Sequence, residues 1–471
     1  MDAQAIAQKV VHKVSTISSE LAQFVTGYDG AGMPTEVKRR AKLLMVDAIG
    51  IAFASTRFSF ASGALDALRE FGSGDCEVIG VADKLALRDA VLMNAILVHG
   101  LDYDDTYLPG SVHLTASCVP VALGVGGQRG VSGAELLTAC TLGLEVDSRL
   151  GIAGNGGFLR AGFHATSVLG TFACTMIAGR LMGLNAQQLT MAQGIALSTA
   201  SGNMQPMQDG SWTKRMHPGW AGVAAITSTM LAKHGFIGPS ETYEGRFGLF
   251  PHFLGEHFKQ ADLGAILRNV GEKWEFPRTS IKLYPACHQS HAFMIATRKL
   301  VQEHPIKTDD IESILTLVTA PAVPLICEPA DVKRAPDSSY GAQFSLPYAV
   351  ACCIMRNRFG LDELEEPSYT DPVLRKLAAK VSYQVDPNSG FPKFRSGEVI
   401  VRMKNGMVYS KRESVLPDEP ASESEIVDKF MINVEPVMSK GRAEKIRDTL
   451  LNLEKLADTR TLTALLSGAG R

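Results

Sequence analysis

Residues 398–411, EVIVRMKNGMVYSK, interrupt a sequence that otherwise has mainly helical patterns. Alternating side chains on both sides of Lys404–Gly406 predict a β-hairpin, because Asn-Gly favours the tight turn between antiparallel strands. The segment Ile311–Thr319, IESILTLVT, is rich in β-branched residues and predicts a further strand. Together with predicted helices at Phe344–Arg356 and Pro372–Val381, these segments indicate a small α+β domain.

The sequence on both sides of this segment has the periodicity of helices. Apolar residues recur at helical spacing in residues 1–277 and again in residues 418–471. The segments 132–135 and 185–188 have the spacing of capping boxes, which begin helices. The sequence therefore predicts a mostly α protein, in which a smaller α+β domain, residues 278–417, separates two all-helical parts that pack together.

Composition excludes several classes of protein. The chain has 471 residues, 45% of them hydrophobic, and a net charge of −2, so no overall basic excess points to nucleic acid or an anionic membrane. None of the eight cysteines forms a CxxC pair, which predicts buried reduced thiols. The N-terminus lacks the order of a signal peptide, and apolar stretches such as Leu43–Ala54 are too short to span a bilayer. We expect a cytoplasmic protein without nucleic-acid or membrane partners.

Four short polar clusters interrupt the apolar helix patterns. The first comprises HGLDYDDT at 99–106 with SVHLT at 111–115, and the second is GFHAT at 162–166. The third is GSWTKRMHPGW at 210–220, and the fourth is SIKLYPACHQSH at 280–291. Each cluster alone has an ordinary explanation, such as a solvated helix end or a surface loop. The fourth lies where the two predicted domains meet, a common place for ligand sites.

Together the clusters supply groups for proton chemistry next to a carboxylate. Cations bind substrate carboxylates and stabilise an enolate, and histidine transfers protons near neutral pH. Basic residues ahead of a helix predicted at Ala221–Ala232 gain nothing from its dipole, so they indicate an external anion. The acids, imidazoles and cations concerned are Asp102, Asp104 and Asp105; His113, His164, His217, His288 and His291; and Lys214, Arg215 and Lys282.

Several familiar catalytic motifs are missing from the sequence. There is no Walker loop, no dinucleotide fingerprint in strand–turn–helix context and no GxSxG elbow. His99, Asp102, Asp105 and His113 could together hold a divalent metal ion, although their spacing matches no specific ligand motif. A metal-dependent hydrolase is therefore a less favoured alternative.

At the four clusters the sequence resembles the MmgE/PrpD family. The matching segments are HGLDYDDTY, GFHAT, GSWTKRMHPGWAG with GPSETYEGRFGLF downstream, and IKLYPACHQSH, in family order along essentially the whole chain. The family includes 2-methylcitrate dehydratases, cis-aconitate decarboxylases and an iminodisuccinate epimerase. The resemblance implies a helical domain built from both chain ends, an inserted α+β domain and a pocket between them. It also implies a homodimer that uses neither metal nor cofactor.

The resemblance carries roles onto individual residues. Asp102 and Thr106 match the family's DxxxT pair, and His113 matches its proton-transfer histidine. Catalytic roles are expected for His113, Asp102, Thr106, Lys214 and Lys282. Carboxylate binding is expected for His164, His217, Arg215, Tyr284 and His288, and no metal ligand is expected.

Three positions depart from the family pattern. Leu114 and Ala165 replace prolines, and Asp331 stands where the decarboxylases carry a tyrosine. The change at Asp331 favours (de)hydration of a hydroxy polycarboxylate of the 2-methylcitrate or citrate type, by a hydro-lyase. The alternatives are a cis-aconitate-type decarboxylase, an iminodisuccinate-type epimerase and a non-catalytic carboxylate-binding protein.

Overall fold

A computed structural model describes residues 15–209, 211–391, 393–416 and 421–468. The chain divides into two compact units. The first runs to Ile281 and resumes at Ala421, and the second is Lys282–Pro420. The structure is mostly helical, and the sheets of the described residues are small, which confirms the predicted fold class.

The first unit begins with a long succession of helices. A two-stranded antiparallel sheet, β1 (Cys76–Glu77) with β2 (Lys84–Leu85), departs from the all-helical prediction, because two-residue strands are too short to leave a period in the sequence. The helices are α1 Ile17–Gly27, α2 Thr35–Ser55, α3 Ser59–Arg69, α4 Leu87–His99, α5 Thr115–Arg129, α6 Gly133–Gly154, α7 Gly157–Arg160, α8 Ala165–Leu181, α9 Ala186–Leu197, α10 Pro206–Asp209, α11 Thr213–Lys233 and α12 Leu249–Leu254.

The second unit contains a four-stranded sheet in the order β4-β3-β5-β6. Strand β3 pairs with β4 in parallel and with β5 antiparallel, and β5 forms the predicted hairpin with β6. The strands are β3 Ile311–Val318, β4 Val381–Val385, β5 Arg395–Met403 and β6 Val408–Val415. The helices are α13 His291–Glu303, α14 Val323–Ile326, α15 Ala330–Arg334, α16 Ser339–Gln343, α17 Leu346–Arg356, α18 Glu366–Tyr369 and α19 Pro372–Ala378.

The tail returns to the first unit as helices α20 (Glu423–Val434), α21 (Lys440–Leu451) and α22 (Arg460–Leu466). Lys429 of α20 lies 2.6 Å from Asp47 of α2, and both side chains are buried. The same ammonium donates to the backbone oxygen of Tyr103 at 3.0 Å and lies 3.8 Å from the centre of its ring. Through Lys429, the C-terminal tail therefore contacts Tyr103 of the first polar cluster and stabilises its position.

Small residues allow the central helices to approach closely. A Cβ atom added to Gly219 of α11 would lie 2.7 Å from the backbone oxygen of Leu92 in α4. One added to Gly222 would lie 2.6 Å from a methyl of Val91. Both distances are shorter than van der Waals contact, so α11 can cross α4 only where it carries glycine.

The predicted helix ends are confirmed in part. Asn185 and Gln188 form the reciprocal capping box. Ser132 Oγ accepts from Glu135 N–H, but the Glu135 carboxylate binds Arg180 at 2.7 and 3.0 Å and does not complete a box. A long-range charged partner thus outcompetes the local backbone donor.

Three predicted helices have different bounds in the structure, and the one predicted at Phe344–Arg356 begins two residues later, at Leu346. The other two differ for reasons of packing. The helix predicted at Ala221–Ala232 already begins at Thr213, because burial of its basic residues stabilises two further turns around Pro218. The helix predicted at Pro372–Val381 ends at Ala378, and Val381 begins β4, where it pairs with Ile314 of the central strand. Tertiary contacts decided both boundaries.

The eight cysteines are buried and free. Among the described residues, no single helix is long and apolar enough to cross a membrane; α2 and α3 reach that length and hydropathy only as a pair bent by 87°.

Candidate active site

The loop between α4 and α5 carries the first polar cluster. Asp102 has a φ of +48°, in the left-handed region that residues other than glycine seldom adopt. Its carboxylate accepts a hydrogen bond of 2.9 Å from Lys214 Nζ of α11, and each side chain is only 11% exposed. Proximity favours the charged form of both groups, so the loop conformation holds an ammonium group in the interior.

Asp105 fixes the other end of this loop. Its carboxylate accepts from the backbone N–H groups of Leu114 and Thr115, at 3.0 and 3.1 Å, and from the Thr115 hydroxyl, so it caps α5. Its backbone oxygen lies 2.6 Å from His113 Nδ1. Because a carbonyl oxygen only accepts, His113 carries a proton on Nδ1, and Nε2 is the basic nitrogen of the neutral ring.

Two threonines also contact His113. Thr106 Oγ1 lies 3.4 Å from Nδ1, and Thr166 Oγ1, in the first turn of α8, accepts from the His113 backbone N–H at 3.1 Å. The His113 side chain is 14% exposed, so the ring is held firmly yet keeps some access to small molecules.

A buried carboxylate lies between His113 and a second imidazole. Asp104 Oδ2 is 2.7 Å from His99 Nδ1 and 3.7 Å from His113 Nδ1. Asp104 is fully buried and His99 nearly so. A carboxylate in this position stabilises the protonated form of either ring.

His164 and His217 form a further pair, with their Nδ1 atoms 3.1 Å apart. The His164 ring also lies 5.5 Å from the His99 ring and 6.3 Å from the His113 ring, measured between centres. Among the described residues, His99 Nε2 and His164 Nε2 are buried without a hydrogen-bond partner. Four imidazoles from the first three polar clusters therefore form one group beside Lys214.

Burial sets the protonation of this group. It lowers the pKa of His217 to about 4, and the electrostatic influence of the neighbouring His99 and Lys214 adds to the effect. Burial and then the charge of Lys214 also lower the pKa of His164 well below its usual value. Both rings are neutral at neutral pH, so one Nδ1 donates its proton to the other. Burial, and then the neighbouring Asp104, raise the pKa of Asp105 to about 7.

The residues that could hold a metal ion differ from the predicted set. His99, Asp104 and His113 offer ligand atoms within 4.8 Å of one another. Asp102 is engaged by Lys214, and the Asp105 carboxylate by the start of α5. The 2.7 Å separation of His99 and Asp104 is a hydrogen-bond distance, shorter than the roughly 3.3 Å expected between two ligands of a tetrahedral ion. Hydrogen bonding accounts for this geometry without an ion.

The fourth cluster belongs to the second unit from Lys282 onward. Lys282 and His288 are buried. The His288 and His291 rings lie 4.7 Å apart, and the Tyr284 hydroxyl accepts from Arg298 Nη1 at 3.0 Å. The structure thus groups the predicted residues Tyr284 and His288 with Arg298 and His291. The pocket expected between the domains stays a prediction, as do the roles of Lys282, Tyr284 and His288.

Arg215 is placed differently from the other predicted residues of the first unit. Its Nε donates to the backbone oxygen of Gly100 at 2.7 Å, and its guanidinium lies 4.6 Å from the centre of the Phe60 ring. These contacts anchor α11 to the end of α4. His99 and Asp104 lie at the centre of the group. The sequence analysis named Asp104 among the acids and His99 as a possible metal ligand, but neither was among the residues expected to be catalytic or to bind carboxylates.

Comparisons with known proteins identify the family of the chain. The MmgE/PrpD N-terminal domain matches residues 19–261, and the MmgE/PrpD C-terminal domain matches residues 284–455. A cis-aconitate decarboxylase-like protein, oryM, of Aspergillus oryzae is 24% identical over 96% of this chain and 97% of its own. The cis-aconitate decarboxylases of Aspergillus terreus and Homo sapiens are 25% and 26% identical, over 96% and 97% of this chain and 96% and 95% of theirs.

A buried group of imidazoles, carboxylates and a lysine supplies the residue types that acid–base chemistry uses. The chain belongs to the MmgE/PrpD family of enzymes. The three relatives named above are similar to it over nearly their whole length.

Proposed function

We propose that the protein is a lyase that decarboxylates a small unsaturated tricarboxylate of the cis-aconitate type, with His113 as the proton-transfer residue. The carbon–carbon bond to one carboxylate breaks, carbon dioxide leaves, and the electron pair passes into a carbanion conjugated with a remaining carboxylate. The imidazolium of His113 then protonates carbon. No electrons are gained or lost overall, so the reaction needs no redox partner.

The observation that carries the proton-transfer role is the short contact between His113 Nδ1 and the backbone oxygen of Asp105. The Asp105 carbonyl oxygen, 2.6 Å from Nδ1, holds one proton there and leaves Nε2 to exchange a proton with substrate. Asp104, 3.7 Å from the same ring, stabilises the imidazolium that exists before proton delivery. A histidine with one fixed and one exchanging nitrogen is suited to general acid–base catalysis.

Lys214 and the His164–His217 pair supply the anion-binding side of the site. Lys214 Nζ lies 2.9 Å from Asp102 Oδ1, and in this proposal its ammonium stabilises negative charge that develops on a substrate carboxylate. Because one Nδ1 of the pair donates to the other, the accepting ring carries its proton on Nε2 and offers that N–H without adding net charge. This combination favours a carbanion intermediate in a largely water-excluded setting.

Decarboxylation and dehydration are the two candidate reactions. Decarboxylation is ranked first because the curated relatives named above carry that activity in their names. Dehydration of a hydroxy polycarboxylate, the reaction that the sequence favours, is the second candidate. A neutral His113 with Nε2 as base would also remove a proton next to a carboxylate, which is the first step in losing a β-hydroxyl.

Proton NMR in D₂O separates these reactions. The protein is incubated separately with cis-aconitate, 2-methylcitrate, citrate and iminodisuccinate. Decarboxylation of cis-aconitate would give a product that has lost CO₂ and gained one deuterium. Turnover of 2-methylcitrate or citrate to an unsaturated acid, with no loss of CO₂ from cis-aconitate, would replace decarboxylation by dehydration. Exchange of the α-proton of iminodisuccinate without net loss would identify an epimerase.

Two controls address the remaining alternatives. Tight binding of carboxylates without turnover of any substrate would indicate a non-catalytic binding protein. Loss of activity on exhaustive chelation, restored by a stoichiometric metal ion, would indicate metal chemistry at His99, Asp104 and His113.

A further inference from the structure

The C-terminal tail places a buried ammonium group against the loop between α4 and α5. Lys429 of α20 is 5% exposed, although lysine is almost never fully buried unless its charge is paired. The residue that it contacts on the loop, Tyr103, lies 326 positions away in the chain. Because burial of an unpaired charge costs much free energy, we expect the partners of Lys429 to be specific ones.

Lys429 binds α2 and the loop at the same time. Its Nζ atom lies 2.6 Å from Oδ1 of Asp47 in α2, and the Asp47 side chain is also buried. The same atom donates to the backbone oxygen of Tyr103 at 3.0 Å and lies 3.8 Å from the centre of its ring. An ammonium group has three donors, so it can serve a carboxylate and a carbonyl together. Lys429 therefore fixes the backbone of Tyr103 relative to α2.

Tyr103 lies between two aspartates of the candidate active site. Asp102 accepts from Lys214 at 2.9 Å, and Asp104 Oδ2 lies 3.7 Å from His113 Nδ1. Each aspartate shares a rigid peptide plane with Tyr103, so a shift of the Tyr103 backbone displaces both. Asp102 also has a φ of +48°, a conformation that persists only where surrounding contacts stabilise it.

The two ends of this loop are fixed in different ways. Thr106, at the end nearer α5, exchanges two backbone hydrogen bonds with Ser280, of 2.7 and 2.9 Å. At Tyr103 the backbone oxygen instead accepts from the side chain of Lys429. A side chain of the tail thus does for one end of the loop what backbone pairing does for the other.

We propose that Lys429 is a positioning residue for the proton transfer at His113. It fixes the backbone of Tyr103, and through the two adjoining peptide units it sets the positions of the Asp102 and Asp104 carboxylates. Because His113 transfers the proton in the proposed function, this role of Lys429 rests on that proposal. The C-terminal tail is then part of the machinery of the site, although none of the four polar clusters contains a tail residue.

A second contact between the tail and α2 provides a matched control. Lys42 Nζ donates to the backbone oxygen of Leu451 at 2.7 Å and to the Glu454 carboxylate at 2.9 Å. Both partners belong to the tail, and neither lies in one of the polar clusters. A substitution at Lys42 therefore removes a tail contact from the same helix without a direct effect on Tyr103.

Turnover provides the first test, with rates referred to the folded fraction of each variant. Lys429→Met should lower kcat at least about tenfold and change KM less, because displacing a group by about 1 Å can cost about 10²-fold. Lys429→Arg keeps the charge and the donors, so it should retain most of the wild-type kcat. Lys42→Met should leave kcat within about twofold of the wild type. Equal losses of kcat in Lys429→Met and Lys42→Met, or no loss in either, would overturn the proposal.

A double variant separates position from stability. Lys429→Met leaves Asp47 buried without its cation, so the variant should unfold at a lower urea concentration than the wild type. Adding Asp47→Asn removes the carboxylate and should recover much of the stability. Turnover should stay low in the double variant, because the Tyr103 oxygen still lacks the Lys429 ammonium. Recovery of kcat together with stability would show that the ion pair contributes only to folding, and it would overturn the positioning role.

A spectroscopic measurement makes the outcome independent of the reaction. In protein labelled with ¹⁵N-histidine, Lys429→Met should move the imidazole signals of His99 and His113, and Lys42→Met should leave them in place. Unmoved signals in Lys429→Met would overturn the positioning role, even where the wild type turns over no substrate. Unchanged turnover in His113→Ala, beside a reduced kcat in Lys429→Met, would instead refute the proposed proton transfer and retain the positioning of the two aspartates.

Discussion

Two groups of buried charge in the first unit differ in how completely they are paired. On α6, Glu145 accepts from Arg149 Nε at 2.6 Å and from the backbone N–H of Glu275 and Phe276 at 2.8 and 3.2 Å. The Arg149 guanidinium in turn donates to a set of backbone oxygens, including that of Arg268 at 2.9 Å. Around Asp104, by contrast, the imidazoles of His99 and His164 keep buried nitrogens without a partner among the described residues.

The difference shows what distinguishes a structural ion pair from a candidate site. The Glu145–Arg149 pair uses its hydrogen-bonding capacity within the protein, so it holds α6 against the segment around residues 265–276. In the imidazole group, His99 Nε2 and His164 Nε2 make no hydrogen bond to the described residues and are left for a bound molecule. Unsatisfied buried polar atoms cost stability, and proteins tend to keep them where function requires them.

The largest expected effect comes from breaking the structural pair. Arg149→Met should lower the free energy of unfolding by about 3–5 kcal/mol, because Glu145 is left buried and unpaired. Urea denaturation measures this. The double variant Glu145→Gln with Arg149→Met should recover part of the loss. Equal stability of the wild type and Arg149→Met would mean that the pair contributes nothing to the fold.

Removing the proton-transfer group should lower turnover and leave stability nearly unchanged, in contrast to Arg149→Met. His113→Ala should reduce kcat about 10²–10⁴-fold, the usual contribution of a general acid–base residue, with little change in stability. Steady-state kinetics and a thermal melt, performed on the same preparation, measure both quantities. Unchanged turnover would rule out His113 as the proton-transfer residue.

Asp105 should make stability depend on pH. Its pKa is about 7 in the folded protein, against 3.8 for an exposed aspartate carboxyl, so the folded state binds the proton more tightly. The stability that the protonated Asp105 carboxyl contributes is fully present below pH 3.8 and is lost as pH rises through 7. Relative to Asp105→Asn, the wild type should lose about 2–3 kcal/mol between pH 5 and pH 8.

Urea titrations of the wild type and Asp105→Asn across that range provide the measurement. Parallel pH curves for the wild type and Asp105→Asn would contradict the raised pKa.

The smallest expected effect concerns Asp331, whose replacement of a family tyrosine led the sequence to favour dehydration. In the structure its side chain is exposed on α15, and the neighbouring Lys333 and Arg334 donate to the backbone oxygens of Leu325 and Val381. Asp331→Tyr should therefore change kcat and KM for cis-aconitate by no more than about twofold, as most surface substitutions do. A change of tenfold or more would place Asp331 in contact with the substrate.

Local patterns predicted the elements whose contacts are local. The hairpin at Lys404–Gly406 and the capping box at Asn185–Gln188 involve residues a few positions apart, and the structure contains both. The start of α11 was placed eight residues too late because its first turns depend on burial against α4. Propensity alone disfavours a helix through His217-Pro218-Gly219.

The candidate site was predicted as a set of residue types rather than as a geometry. The sequence indicated acids, imidazoles and a lysine in the first three clusters, and the structure brings them together. Their pairing could not be read from spacing, since Lys214 meets Asp102 across 112 positions. Asp102 pairs with Lys214 because of its left-handed φ, and Asp105 is engaged instead by the first turn of α5, which it caps.

The sequence by itself determined the helical class, the inserted α+β segment and the family, because these depend on periodicity, turn chemistry and short motifs that survive without three-dimensional context. Only the tertiary structure decided that Asp104 lies between two imidazoles, that His113 keeps its proton on Nδ1, and that Lys429 of the tail contacts Tyr103. Each of these depends on the burial and orientation of groups from distant parts of the chain, and both are set by the packing of the whole unit.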